Sequence, residues 1–472
     1  MTHHLFLDNT FDPNVSEKQP NLAVNSSPSL SDSLPNQNLA KPSYSSNICV
    51  YDHDVDKCDI TKNNDQEIID YLRLIRSENI GPNFFWRLLE IFGDANIAVR
   101  EASDFFRKIG SKKKIKITSI AEAENEIEKI QKFGAKIIIA SDPNYPKILR
   151  TIYDAPPLLT VKGDLSFFNK PNVAIVGARN CSFSASNIAK KIAVDLGENS
   201  FITVSGLARG VDIAVHEASI LSGTIAVIAG GIDNIYPFEN KRIYQQISQY
   251  GLLISEMPFG SPPKSNYFIK RNRIISGLSS SLIVVEAGLK SGSLATARFA
   301  LEQGREVYAC AGSPFDHRCA GVNQLIKDGA KIITNIVELV SDISQDNLNF
   351  KSENFKSENF KSENFKSENF KKNNVKNFVE NDFKIKDLSS NDKLENNLSA
   401  MNKKNIDDFI NDDELQNISD IIANKINNQA ISIEEIIFDI NKSAKLVNIA
   451  LMQLEFKGKI IINNGTVIAN EL

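Results

Sequence analysis

The chain has 472 residues, 42% of them hydrophobic and 24% charged, with a formal net charge of -4 at pH 7. That length exceeds one ordinary domain and predicts two or three folded units joined by linkers. The charge balance excludes a uniformly basic nucleic-acid coat, so any site for a polyanion must be local. Residues 141–340 carry 20 Lys and Arg against 16 Asp and Glu, a mild positive excess that the acidic flanks outweigh.

No stretch approaches the ~20 apolar residues that a membrane span needs, and no secretory leader pattern opens the sequence. Five scattered cysteines, Cys49, Cys58, Cys181, Cys310 and Cys319, form no disulfide framework. A cytoplasmic protein with free thiols and no membrane contact is expected. His317 lies near Cys310 and Cys319, but there is neither a CxxC pair nor an obvious fourth ligand, so no metal is expected.

Residues 1–62 are rich in Asn, Ser, Asp and Pro without apolar periodicity, which predicts a disordered tail. From Asp65 the pattern changes. Ile68, Ile69, Leu72, Leu74 and Ile75, then Phe84, Phe85, Leu88, Leu89 and Phe92, recur at helical spacing on either side of Gly81-Pro82. A small helical domain of SAM-like or helix-hairpin-helix-like type is predicted over 63–135. Its string NIGPNFFWRLLEIFG either offers turn amides to a phosphate or forms a plain structural turn.

Between Asp142 and Ile343, short apolar runs alternate with longer amphipathic ones, the pattern of an α/β core. Strands are predicted at Val173–Val176, Phe201–Val204, Thr224–Ile228, Leu252–Ser255, Leu282–Val285, Val307–Ala309 and Lys331–Ile333. Helices are predicted near Ser184–Leu196, Val211–Leu221, Asn240–Gln249, Phe268–Gly277, Ser293–Gln303 and Gly321–Lys327. A Rossmann-like, doubly wound parallel sheet follows for residues 136–345.

Residues 351–370 are four copies of KSENF. On a helix successive Phe residues would rotate by about 140°, so no continuous apolar stripe forms. A low-complexity linker is predicted over 346–405. After it come a helical pattern through Leu415, Ile418, Ile421 and Ile422, a second helix from Ser432 with Glu435 as a capping box, and a third from about Ser443 to Phe456. KIIINNGTVIA then reads as a hairpin turning at Asn464-Gly465. These elements predict a winged-helix domain over 406–472. Its third helix carries few basic residues, which leaves duplex binding and protein contact both open as its role.

Glycine, small residues and arginine concentrate where the predicted strands end, the place where ligands sit in open α/β sheets. After the strand VAIV comes GARN, with Gly177 for a tight turn and Arg179 over the sheet edge. SGLARGVD follows the next strand, with Ser205, Gly206, Arg209 and Gly210 at a helix N-terminus suited to phosphate. FIKRNRIISGLS brings Phe268, Lys270, Arg271, Asn272 and Arg273 together, cations for a backbone beside an aromatic for bases. The loop LKSGSLATA adds Ser291, Gly292 and Ser293 at another helix start.

There is one glycine after VAIV where GxGxxG needs three, and no GxxxxGK[ST] or GxSxG occurs. Dinucleotide oxidoreductase, P-loop ATPase and serine-hydrolase chemistry are therefore disfavoured, and no cofactor is expected. His216, in VDIAVHEAS, reads as a structural or site-lining residue rather than a base.

The ordered strings GARN, VSGLARGVDIAVHEASI, TIAVIAGGIDNIYPFENKRI, LLISEMPFG, FIKRNRIISGLS, VVEAGLKSGSLATARFALEQGREVYACAGSP and GVNQLIKDGA resemble the DNA-processing protein A (DprA/Smf) family across about 200 residues. The resemblance implies a Rossmann-like homodimer that binds and shields single-stranded DNA and assists loading of the RecA recombinase during uptake of foreign DNA, without catalysis. By motif position it places DNA-binding cations on Arg179 and Arg209, with Phe268, Arg271, Asn272 and Arg273 in the same pocket. The Asn-rich tail and the KSENF repeat depart from the family pattern. The alternative is a nucleoside-monophosphate phosphoribohydrolase-like enzyme, whose phosphate loop the segment after VVEAG resembles. Such enzymes carry a Glu soon after the loop, whereas GSLATAR has no carboxylate before Glu302.

Overall fold

A computed structural model describes residues 60–109, 115–346, 412–426, 430–463 and 465–470. Almost all of the tail expected over 1–62 and of the linker expected over 346–405 lies outside these residues.

Four helices come first: α1 (Ile60–Arg76), α2 (Pro82–Phe92), α3 (Ala95–Lys108) and α4 (Ile120–Lys132). Pro82 opens α2 where a missing N–H is harmless, and left-handed Gly93 closes it with its N–H on the Leu89 carbonyl. Asp94 caps α3 by accepting the amides of Asn96 and Ile97, and Ser119 with Glu122 forms a capping box on α4. The buried faces, including Leu72, Phe85, Leu88, Phe105 and Phe106, close into one cluster.

The sheet region then runs β1 (Lys136–Ile139), α5 (Lys147–Arg150), β2 (Leu158–Gly163), β3 (Asn172–Val176), α6 (Phe183–Glu198), β4 (Ile202–Ser205), α7 (Val211–Ser219) and β5 (Thr224–Ile228). It continues through α8 (Lys241–Tyr250), β6 (Leu252–Ser255), α9 (Ser265–Gly277), β7 (Ser281–Val284), α10 (Gly292–Glu302), β8 (Glu306–Ala309), α11 (Ala320–Lys327) and β9 (Lys331–Ile332), with α12 over 336–346. All nine strands share one sheet in the order β1-β2-β6-β5-β4-β3-β7-β8-β9. Strands β3 to β9 pair in parallel, and β3 to β7 are buried along their whole length, as a sheet covered by helices on both faces requires.

The seven parallel strands stand where the apolar runs predict them, and the Rossmann-like core is present. The addition is β1 and β2, an antiparallel extension on the β6 edge. Its strands enclose the DPNYP and DAPP turns, whose prolines read as loop, so the short apolar runs beside them carry no strand signal of their own. From β3 the chain steps outward through β4, β5 and β6, then returns to the other side of β3 with β7. Loops at the carboxyl ends of β3 and β7 therefore leave in opposite directions, and a crevice opens between them.

The last described residues form α13 (Asp412–Ile426), β10 (Ile431–Ser432), α14 (Ile433–Ile440), α15 (Ala444–Phe456) and a hairpin of β11 (Ile460–Asn463) and β12 (Thr466–Ala469). The strands order as β10-β12-β11. Ser432 and Ser443 cap α14 and α15 by accepting the amides of Glu435 and Leu446.

Candidate nucleic-acid interface

The crevice has a volume of about 930 Å³, walled by the Gly177–Asn180 loop, one face of α9 and the Gly288–Ser293 loop into α10. A smaller recess of about 210 Å³ adjoins it, lined in part by Gly206–Arg209 and Ala229-Gly230. Arg179, Asn180, Ala208, Tyr236 and Phe268 border both.

Backbone packing explains the small residues. A Cβ on Gly206 would stand 2.4 Å from the Arg271 guanidinium. Gly210 has φ +76°, and a Cβ there would meet the Ala178 carbonyl at 2.2 Å. Adjacent loops are stitched together: Ala178 N donates to Glu286 O at 2.7 Å, and Val211 N donates to Ala178 O at 3.2 Å. The Glu286 carboxylate is buried and accepts from Ser182 N (3.0 Å) and Ser182 Oγ (2.7 Å), fixing the entry to α6.

Two buried, oppositely charged residues, Arg271 and Asp212, line the crevice. Arg271 donates to the carbonyls of Gly206 and Val227, while Asp212 accepts from Ala208 N at 3.3 Å. Burial pushes the Asp212 carboxyl up and Arg271 opposes it; burial also lowers Arg271 to about 10, which leaves it cationic at neutral pH. Asp212 is the one carboxylate lining the crevice among the described residues.

At the mouth, the Arg179 guanidinium stands 4.9 Å from the centroid of the Phe268 ring. The Tyr236 ring meets Phe268 edge-on at 5.5 Å. Arg209 is exposed and pairs with the equally exposed Glu239. Ser291 caps α10 by accepting the Ser293 amide, and Gly292 has open space where a Cβ would sit. An exposed cation, two aromatic rings and a helix N-terminus thus share one opening, an arrangement fitted to a phosphate chain carrying unpaired bases.

Of the residues read from the sequence, Gly177, Arg179, Gly206, Arg209, Phe268, Arg271, Asn272, Ser291, Gly292 and Ser293 line the crevice or its recess. Gly210 supports them from below as the N-cap of α7. Three need correction. Ser205 is buried and donates its hydroxyl to the Ile175 carbonyl at 2.7 Å, so it holds two strands together. Lys270 is exposed on α9 outside the crevice lining. Arg273 is buried between Glu256 (2.6 Å) and Asp154 (3.0 Å). Helical geometry gives the reason: Phe268, Arg271, Asn272 and Ile275 fall at i, i+3, i+4 and i+7 on the crevice face, whereas Lys270 and Arg273 rotate about 200° and 140° from Phe268. Arg271 also differs from its expected role, because carbonyl bonds occupy its guanidinium.

Sequence reasoning missed Tyr236 and Lys290. An aromatic in the loop after β5, another carboxyl-end loop, was the available signal for Tyr236. His216 is buried with Nδ1 2.8 Å from Thr224 Oγ1 and lies outside the crevice lining. No helix among the described residues is long and apolar enough to cross a membrane.

Residues 136–344 match the DNA recombination-mediator protein A family, and residues 65–128 match the DprA-like N-terminal HHH domain. DNA processing protein DprA of Streptococcus pneumoniae is 42% identical over 217 residues, which are 46% of this chain and 76% of that protein. The Bacillus subtilis DprA is 40% identical over 220 residues, 46% of this chain and 74% of that protein. The chain belongs to the DNA processing protein A family. Among solved structures, the S. pneumoniae DprA covers 56% of this chain and 98% of its own, at 33% identity and a TM-score of 0.47. A Helicobacter pylori DNA processing protein A, whose structure concerns its single-stranded DNA binding mode, covers 45% and 96% at 31% identity and a TM-score of 0.42. The match to the HHH domain resolves the helical unit as helix-hairpin-helix rather than SAM-like. The whole crevice falls inside the stretch matched to the DNA processing protein A core.

Proposed function

We propose that this chain binds single-stranded DNA in the crevice between β3 and β7, shields it, and passes it to the RecA recombinase during recombination of incoming DNA. The observation that carries the reading is Arg179 held over Phe268 with Tyr236 alongside: a cation for phosphates adjoins ring faces that only an unpaired base can reach. Arg209, Lys290 and the α10 N-terminus extend the positive rim. Family membership supports the recombinase partner, the homodimer and a cytoplasmic setting. The order of α13–α15 and β10–β12 supports a winged helix at the end of the chain, beyond the helical unit at 63–135 and the core at 136–345.

The protein acts by binding and not by turnover. Glycosidic cleavage needs a pair of carboxylates, but Asp212 alone lines the crevice among the described residues, and it accepts from Ala208 N. Fluorescence-anisotropy titration of an unstructured oligonucleotide and its duplex over a salt series tests the proposal. Preference for the single strand, with affinity falling as salt rises, is expected; equal or duplex-preferring binding would overturn it.

A further inference from the structure

The helix-hairpin-helix unit and the C-terminal unit, distant in sequence, meet along α2 and α15. Asn448, Glu455 and Phe456 occupy one face of α15, at i, i+7 and i+8. Each has a partner on the helical unit. Asn448 Nδ2 donates to Glu90 Oε2 at 2.7 Å, Glu455 accepts from Arg87 Nη1 at 2.8 Å, and Phe456 stacks on Phe84 at 5.2 Å while meeting Phe106 edge-on. Arg87 and Asn448 are each only 5% exposed, so the contact is a desolvated one.

The sequence of α15, AKLVNIALMQLEF, explains why both sides are covered. It holds a single basic residue, Lys445, and Val447 to Met452 form an unbroken buried run. A helix that enters a DNA groove keeps a polar, basic face for phosphates and base edges. Helix α15 has no such face: α13 covers one side and α2 the other.

We infer that the C-terminal unit is a protein-docking module whose partner is the helix-hairpin-helix unit of the same chain, with α15 as the docking element and not a reader of duplex DNA. Charge complementarity selects the partner, since the Arg87 guanidinium meets the Glu455 carboxylate and the Asn448 amide meets the Glu90 carboxylate across the contact. The contact also reaches the core. Arg87 Nη2 donates to Tyr153 Oη at 3.1 Å, and the next residue, Asp154, pairs with Arg273 on α9. One loop therefore receives the docked unit on one side and the helix that walls the crevice on the other.

Hydrogen–deuterium exchange on the full chain reads docking directly. Glu455→Arg sets two guanidinium groups against each other, and amides of α15 and α2 should exchange at least tenfold faster while those of β3 to β5 keep their rates. Adding Arg87→Glu should restore protection. Where Glu455→Arg loosens the whole chain, Asn448→Ala with Glu455→Gln removes only docking bonds; local loss of α15 protection supports the inference and unchanged protection overturns it. Protection that persists through hundredfold dilution supports a partner in the same chain, whereas protection lost on dilution assigns the partner to a second copy and overturns that assignment. Added duplex that further protects α15 would contradict the docking role.

Discussion

The guanidinium of Arg179 lies over the face of Phe268, 4.9 Å from the ring centroid. The two residues come from different elements, the loop after β3 and the first turn of α9, and each restrains the other at the mouth of the crevice. A cation–π pair at an exposed site is worth about 0.5–1 kcal/mol, enough to orient a long side chain yet small enough for a phosphate to displace it. A phosphate can then take the cation while a base takes the ring.

Removing the ring should therefore cost affinity in a way that removing a charge does not. Phe268→Ala is expected to weaken single-strand binding by about 1–3 kcal/mol, the usual value of one stacked base, with the salt dependence of binding left intact. Phe268→Trp should bind as well as the original. Anisotropy titrations of the three proteins at two salt concentrations check this, and a change in salt slope without a loss of affinity would contradict it.

Arg273 separates the sequence reading from the structure. Its guanidinium is buried between Glu256 and Asp154, so Arg273→Met should destabilise the fold by about 3–5 kcal/mol by leaving carboxylates without their cation. Single-strand affinity per folded molecule should stay the same. Urea unfolding and titration of the folded fraction measure the two effects separately; weakened binding at full stability would return Arg273 to the DNA site.

Acid should expose His216. Burial, with Arg271 adding to it, holds this imidazole down to about 3, whereas an unfolded histidine titrates near ~6.5. Between those values the unfolded chain binds the extra proton, so stability from this group is full above about pH 6.5 and is lost as the pH falls towards 3. His216→Gln, which keeps a polar group beside Thr224, should flatten the fall in Tm between pH 6.5 and 4. Identical pH profiles for the two proteins would contradict the assignment.

The parallel strands and their helices were legible because a buried parallel strand is a continuous apolar run, and VAIV, TIAVI and SLIVV are such runs. Gly177 and Gly206 were legible for the same reason that they are needed, since each follows directly on a strand. Side-chain direction on α9 was harder. Reading FIKRNR as one basic cluster ignores the 100° step per residue, which turns Arg271 down into the carbonyls of Gly206 and Val227 and Arg273 away towards Glu256. Strands β1 and β2 escaped because proline-bearing turns flank short runs whose pairing is set by β6, far along the chain.

Contacts made only by the fold were invisible for a related reason. Nothing near Arg87 in sequence marks Glu455 as its partner, 368 positions away. The lack of basic residues in α15 was visible, and the structure supplies its cause in the covering by α2.

The central claim is that Arg179 and Arg209 carry phosphate contacts to single-stranded DNA. Its most direct test is the slope of log K against log salt for the original protein and for the Arg179→Ala/Arg209→Ala double variant on one unstructured oligonucleotide. Each phosphate contact to a single strand contributes about 0.7 to that slope, so the variant should bind more weakly with a slope shallower by about 1.4. Unchanged affinity and slope would place the DNA elsewhere on the molecule and contradict the account.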